Sequence, residues 1–195
     1  MGQEMKSAMT MTMPLEKEIV LTRVFDAARA LVFQSYTDPA LIPRWWGPRG
    51  VTTTVDQMDV RPGGIWRYIM RGEDGKEGAF NGVYHEITPP ERVVCTFEFE
   101  GNPGHILLAT VTFDEHDGKT TVTDSSVFET VEDRDGMLNA GMVAGATDLY
   151  DRFEELLATL SREGKATGAD ESAAMVGVPL AVPGLQGRGI PPPGL

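Results

Sequence analysis

Cysteine, histidine and basic charge are all scarce in this chain. The single cysteine among 195 residues, Cys95, has no partner for an internal disulfide and fits a reducing compartment. The three histidines, His85, His105 and His116, fall on different predicted strands or turns and lack metal-ligand spacing, so neither a metal nor any cofactor is expected. Lysine and arginine number 17 against 29 acidic residues, a net charge of -12. A surface of that sign repels nucleic-acid phosphates and anionic membranes, so no nucleic-acid partner is expected. No apolar run approaches the ~18 residues of a membrane span, which speaks against membrane insertion. Residues 1–14 are rich in methionine but lack the apolar core of a signal peptide, and the expected location is the cytoplasm.

Catalytic signatures are missing too. There is no G-x-S-x-G elbow, no phosphate-binding loop, no G-x-G-x-x-G and no H-E-x-x-H. No catalytic residue is assigned.

What is present is the composition of one globular domain, 41% hydrophobic and 24% charged. Residues 1–15 are expected to be flexible, 16–160 to form the domain, and 161–195, rich in Gly, Pro and Ala, to be a disordered tail. The pattern at 16–25 is β-branched and alternating, a first strand, after which Asp26 offers a helix N-cap. Two short helices follow, separated by Asp38-Pro39. From 51 to 131, six short alternating runs are separated by turn chemistry such as Arg61-Pro62-Gly63-Gly64 and His116-Asp117-Gly118-Lys119, the pattern of an antiparallel meander.

Because side chains alternate along a strand, each run nominates an inward face. Cys95, Phe97 and Phe99 make one such face, Leu107, Ala109, Val111 and Phe113 another, and Trp66, Tyr68 and Met70 a third. In the last run Asp124 and Ser126 share the phase of Val122 and Phe128. They read first as an edge or register feature satisfied by water, and otherwise as a polar patch inside a cavity.

Residues 134–160 contain no proline, and Leu138, Met142, Leu149, Phe153, Leu156 and Leu160 recur at helical spacing. The pattern predicts one long amphipathic helix, capped by Asp133, with Gly141 and Gly145 marking a close approach of sheet or ligand.

Three motifs narrow the match. They are Asp38-Pro39 through Trp45-Trp46-Gly47-Pro48, Arg61-Pro62-Gly63-Gly64-Ile65-Trp66-Arg67, and Glu86-Ile87-Thr88-Pro89-Pro90-Glu91-Arg92. In this order they resemble the START-like superfamily, and within it the bacterial homologues of the activator of heat-shock protein 90 ATPase, in its C-terminal domain. The resemblance covers about 16 to 160. It implies an α+β helix-grip fold, a curved antiparallel sheet of about seven strands around a long C-terminal helix, with two short helices after strand 1. It also implies a cavity under the long helix. The activator that named the family pairs this domain with a separate N-terminal one, for which this chain leaves no room.

The site residues expected from strand phase, helix spacing and this resemblance are Trp45, Trp46, Trp66, Tyr68, Met70, Phe97, Phe99, Ala109, Met142, Gly145 and Phe153. One of the two adjacent tryptophans is expected to serve core packing. The function that follows is binding of a small apolar molecule, as carrier, sensor or stress-related accessory protein. The alternatives are a chaperone partner acting through its exterior, and a cyclase- or hydrolase-type enzyme in which His85 or Asp124 handles a proton in the same cavity.

Overall fold

Alternating side chains place one face of each strand against an apolar interior, and the turns between strands are short enough to make neighbours antiparallel. The computed structural model describes residues 8–174. In chain order it contains β1 (Thr10–Thr12), β2 (Glu18–Phe25), α1 (Arg29–Thr37), α2 (Ile42–Trp45), β3 (Val51–Met58), β4 (Ile65–Gly72), β5 (Glu77–Thr88), β6 (Arg92–Phe99), β7 (Leu107–His116), β8 (Lys119–Phe128), α3 (Val131–Asn139) and α4 (Met142–Ala174). The strands form one sheet in the order β1-β2-β8-β7-β6-β5-β4-β3. All seven pairings are antiparallel. This is an α+β helix-grip architecture, and the described residues up to Ser161 form one compact unit.

The sheet has eight strands where seven were expected. The additional one, β1, falls in the segment expected to be flexible and pairs Thr10 with Thr22 and Thr12 with Val20. Three residues at a sheet edge leave no alternation to detect, although threonine suits a strand. At the other end, α4 runs past Leu160 through residues 161–174, where four alanines and two glutamates, good helix formers, outweigh Gly164 and Gly168. Residues 162–174 are helical in themselves; residues 1–7 and the part of the expected tail from 175 onward lie outside the described residues.

Two predicted helix starts were misplaced. Asp26 does not cap α1, whose N-cap is Ala28 with no side-chain hydrogen bond. Instead the Arg29 amide donates to Glu115 Oε2 of β7 at 2.8 Å, so the free helix end is satisfied from 86 residues away. The cap of α3 is Thr130, not Asp133. The Thr130 Oγ1 accepts from the Asp133 amide at 3.1 Å and donates to Asp133 Oδ2 at 2.7 Å. Removing the hydroxyl with Thr130→Ala should cost about 1 kcal/mol in urea denaturation, with the slope of the transition unchanged.

The single long helix expected over 134–160 is divided. Gly141 adopts φ +87°, the left-handed conformation that ends α3, and the Ala140 amide closes the last turn on Gly136 O. A β-carbon at Gly141 would meet nothing within 4 Å, so this glycine serves backbone conformation rather than close packing. The helices therefore change direction just before the face of α4 that covers the sheet.

The core lies between that face and the concave side of the sheet. Phe25, Phe113, Phe153, Ile19, Val32, Ile42 and Val122 are fully enclosed. Phe153 meets Phe25 and Tyr36 edge-on, each at 5.1 Å between centroids, and Trp45 at 4.3 Å. Arg23 of β2 is also buried, held by Asp151 and Glu154 of α4 at 2.7 Å each. Among the described residues no helix is long and apolar enough to cross a membrane.

Candidate functional site

Beside this packed core the sheet and helices leave a hollow of about 350 Å³. Its walls are drawn from every layer. The sheet contributes Trp66, Tyr68 and Met70 from β4, Phe80 and Tyr84 from β5, Val93, Cys95 and Phe97 from β6, Leu107, Ala109 and Val111 from β7, and Asp124 and Ser126 from β8. The helices contribute Tyr36 and Trp45 below and Met137, Met142, Gly145, Ala146, Leu149 and Tyr150 above. The α4 residues recur at three, four, seven and eight, one face of a helix.

Nine of the eleven expected residues meet around this hollow: Trp45, Trp46, Trp66, Tyr68, Met70, Phe97, Ala109, Met142 and Gly145. The two tryptophans differ in burial. Trp45 is buried, with its Nε1–H donating to Ser35 O at 3.0 Å, while Trp46 is half-buried and meets Tyr68 and Phe80 at 5.0 and 5.3 Å. Arg152 of α4 donates through Nη1 to the carbonyls of Gly47 and Pro48 at 2.6 and 3.2 Å, which straps this loop to the helix.

Two expected residues lie elsewhere. Phe153, one turn beyond Tyr150, is sealed in the aromatic core. Phe99, at the end of β6, is 38% exposed because the chain turns at Gly101 and the ring lies over Gly78 and Gly101, against Phe80. The residues not named beforehand include Tyr36, Tyr84 and Tyr150. Trp66 reaches the hollow by lying across Gly82, where a β-carbon would come 2.6 Å from Nε1 and 1.8 Å from Thr96 O. That Nε1–H is buried without an acceptor, and its approach to Cys95 falls short of hydrogen-bond geometry although it still acts weakly on the thiol.

The polar groups gather near β8. Asp124 and Ser126 are not edge features, because β8 is flanked by β2 and β7 throughout. Both line the hollow, and Ser126 Oγ donates to Asp124 Oδ1 at a long 3.4 Å. Asp124 keeps some accessible surface, yet it lies deep in the protein; that surface faces the hollow. Burial pushes its carboxyl up to about 6, opposed only by the Ser126 hydrogen bond. Tyr36 OH and Tyr150 OH stand 3.3 Å apart, and both phenols are pushed well up by burial first and the charge of Asp124 among the lesser causes. Burial likewise pushes the Cys95 thiol up to about 12, so it stays protonated. His85 is exposed beside the β5 irregularity between Tyr84 and Glu86, outside the hollow.

A carboxyl raised in the folded state favours folding when protonated. Its unfolded value is ~3.9, so stability should fall as pH rises from about 4 to about 6 and stay reduced above that. Asp124→Asn removes this penalty. At pH 7.5 the variant should be more stable by roughly 2–3 kcal/mol, and at pH 4 the difference should nearly vanish, as read from thermal melts at both pH values.

An antiparallel sheet gripping a C-terminal helix over an aromatic hollow defines a START-like protein of the helix-grip class. The family model described as Activator of Hsp90 ATPase homolog 1-like protein matches residues 26–158, and the chain belongs to that family. It is similar to the crystal structure of protein Ms6760 from Mycobacterium smegmatis, with 28% identity over 77% of this chain and 97% of that one, at a TM-score of 0.70. A protein from Arthrobacter aurescens, solved by NMR, is 25% identical over 77% of this chain and 91% of its own, at 0.72. A protein from Rhodobacter sphaeroides shares the fold at 0.73 with 22% identity, covering 78% and 99% of the two chains. No curated protein matches the chain significantly.

Proposed function

We propose that this START-like domain binds a small, largely apolar molecule in the hollow between sheet and α4, as a cytoplasmic carrier, sensor or stress-related accessory protein. One observation carries the reading. Protein interiors close around apolar side chains, yet here some 350 Å³ stays open between aromatic walls while the neighbouring Phe25–Tyr36–Trp45–Phe153 cluster is tightly packed. Such a space forfeits contacts that a ligand would restore. Its volume lies at the small end of the range of roughly 300–1,000 Å³ seen for ligand pockets.

Native mass spectrometry of the purified protein beside its denatured mass tests this. The expected result is an excess on the order of a few hundred daltons that disappears on denaturation. A clean apo mass, together with no thermal shift across a panel of lipids and aromatic compounds, would overturn it. The family's description supports a second reading, a chaperone partner working through the acidic exterior. Binding of that kind would weaken in high salt and be indifferent to changes inside the hollow.

A further inference from the structure

Among the described residues that line the hollow, Asp124 alone carries a charge; no described lysine, arginine or histidine faces it there. On the adjacent strand β2, Arg23 directs its Nη1 and Nη2 to Asp151 and Glu154. Among the described residues Ser126 supplies the carboxyl's one hydrogen bond, and that bond is long. Of the two phenols that approach from α1 and α4, Tyr36 OH donates to Tyr150 OH, and among the described residues neither hydrogen-bonds to Asp124. From β6 the neighbour is the Cys95 thiol, a weak donor. An acceptor with unused lone pairs thus stands in a wall that is otherwise aromatic and aliphatic.

Resting on the reading of the hollow as a ligand site, we infer that its occupant is an apolar, ring-bearing molecule with one hydrogen-bond-donating head, a hydroxyl or a protonated amine, which the Asp124 carboxyl receives. The ring preference follows from the other walls. Trp46, Trp66, Tyr68, Phe80 and Phe97 stand 4.8–6.4 Å from one another at tilted or edge-on angles, a geometry that accepts a further flat ring. The head preference follows from desolvation. A carboxyl already largely removed from water loses little more on binding a donor, whereas a ligand carboxylate would place two like charges in one apolar space. The acidic exterior adds to this by drawing cations toward the protein and turning anions away.

The test is a matched set on one skeleton: naphthalene, 2-naphthol, 2-(aminomethyl)naphthalene and 2-naphthoate, titrated at pH 7.5 by calorimetry or displacement of a fluorescent apolar probe. A charge-assisted hydrogen bond sets the expected preference at ten- to hundredfold for 2-naphthol, the amine or both over naphthalene, with naphthoate weakest. In Asp124→Asn the preference for the amine over naphthalene should collapse, and in Asp124→Ala the preference for the alcohol should go as well. Thermal melts confirm that each variant is folded. If naphthalene binds as well as its donor-bearing relatives, or the ranking survives in both variants, the inference about the head is overturned while the ligand site stands. If none of the four compounds binds the wild type, the ligand-site reading itself fails for ring compounds of this size. Whether alcohol or amine leads decides between a neutral and a cationic head, and either order supports the assignment to Asp124.

Discussion

Replacing Gly145 with leucine is expected to weaken small-molecule binding by a hundredfold or more and to leave the protein at least as stable as before. Gly145 lies on the face of α4 that covers the hollow, and a β-carbon built there meets no atom within 4 Å. The longer side chain can therefore extend into the hollow that Gly145 lines, where it occupies space the ligand would need. Two terms favour the folded state. Glycine inside a helix costs about 1 kcal/mol relative to residues such as leucine or alanine. An apolar side chain that fills an apolar space adds contacts without straining its neighbours. Calorimetric titration with the bound ligand, or with naphthalene as probe, measures the first effect, and a thermal melt measures the second. Ala109→Phe fills the same space from β7 on the opposite wall and should give the same loss. Unchanged affinity in both folded variants would show that binding takes place elsewhere on the molecule, and would favour the partner-protein reading.

The extent to which this site could be read from sequence depended on how local each signal was. Turns are written in adjacent residues, and so is strand phase, so the meander and the inward placement of Trp66, Tyr68, Met70, Phe97 and Ala109 were visible. The boundary between hollow and core along α4 was not. Met142, Leu149, Tyr150, Phe153 and Leu156 form one continuous apolar stripe, and nothing in its periodicity says that the space above the sheet closes after Tyr150. Phe153 was placed on the wrong side of that boundary and Tyr150 was overlooked. Gly141 was noticed, but its positive φ depends on a chain reversal that a helical repeat conceals. The cap on α1 comes from Glu115, too far along the chain for any local rule.

Asp124 is the more instructive case. From sequence, a polar residue in an inward phase reads first as an edge feature, because most buried polar groups have partners and edges are where water supplies them. The strand order removes that option, since β8 is interior to the sheet. A carboxyl that stability alone would disfavour is kept where it faces a hollow. A cost in stability at a site that can serve binding is what a trade between the two would produce.

Arg23 was not singled out from the sequence, and its removal should have the largest effect on stability. Its side chain is 1% exposed, with Nη1 bound to Asp151 Oδ1 and Nη2 to Glu154 Oε2, both at 2.7 Å, and the guanidinium carbon 5.6 Å from the Phe25 ring centroid. Asp151 and Glu154 are three residues apart on α4 and retain partial exposure, so the guanidinium draws two like charges onto the sheet. Arg23→Ala would remove that cation, return the two carboxylates to mutual repulsion and leave a space beneath the helix. Breaking a buried pair by deleting one partner costs about 3–5 kcal/mol. Because the partners here are partly solvated, about 3 kcal/mol is expected, equivalent to a fall in Tm of roughly 6–12 °C for a domain of this size. Arg23→Met separates charge from packing. It restores most of the volume and removes the unpartnered Nε, so if desolvation of the arginine consumes most of the Coulombic gain, methionine should recover at least half of the loss. A methionine variant as unstable as the alanine one would show that the ion triad itself, and not the filled space, holds α4 to β2. Since α4 is also the roof of the hollow, binding of an apolar probe should weaken in parallel with stability in both variants, while Gly145→Leu separates the two.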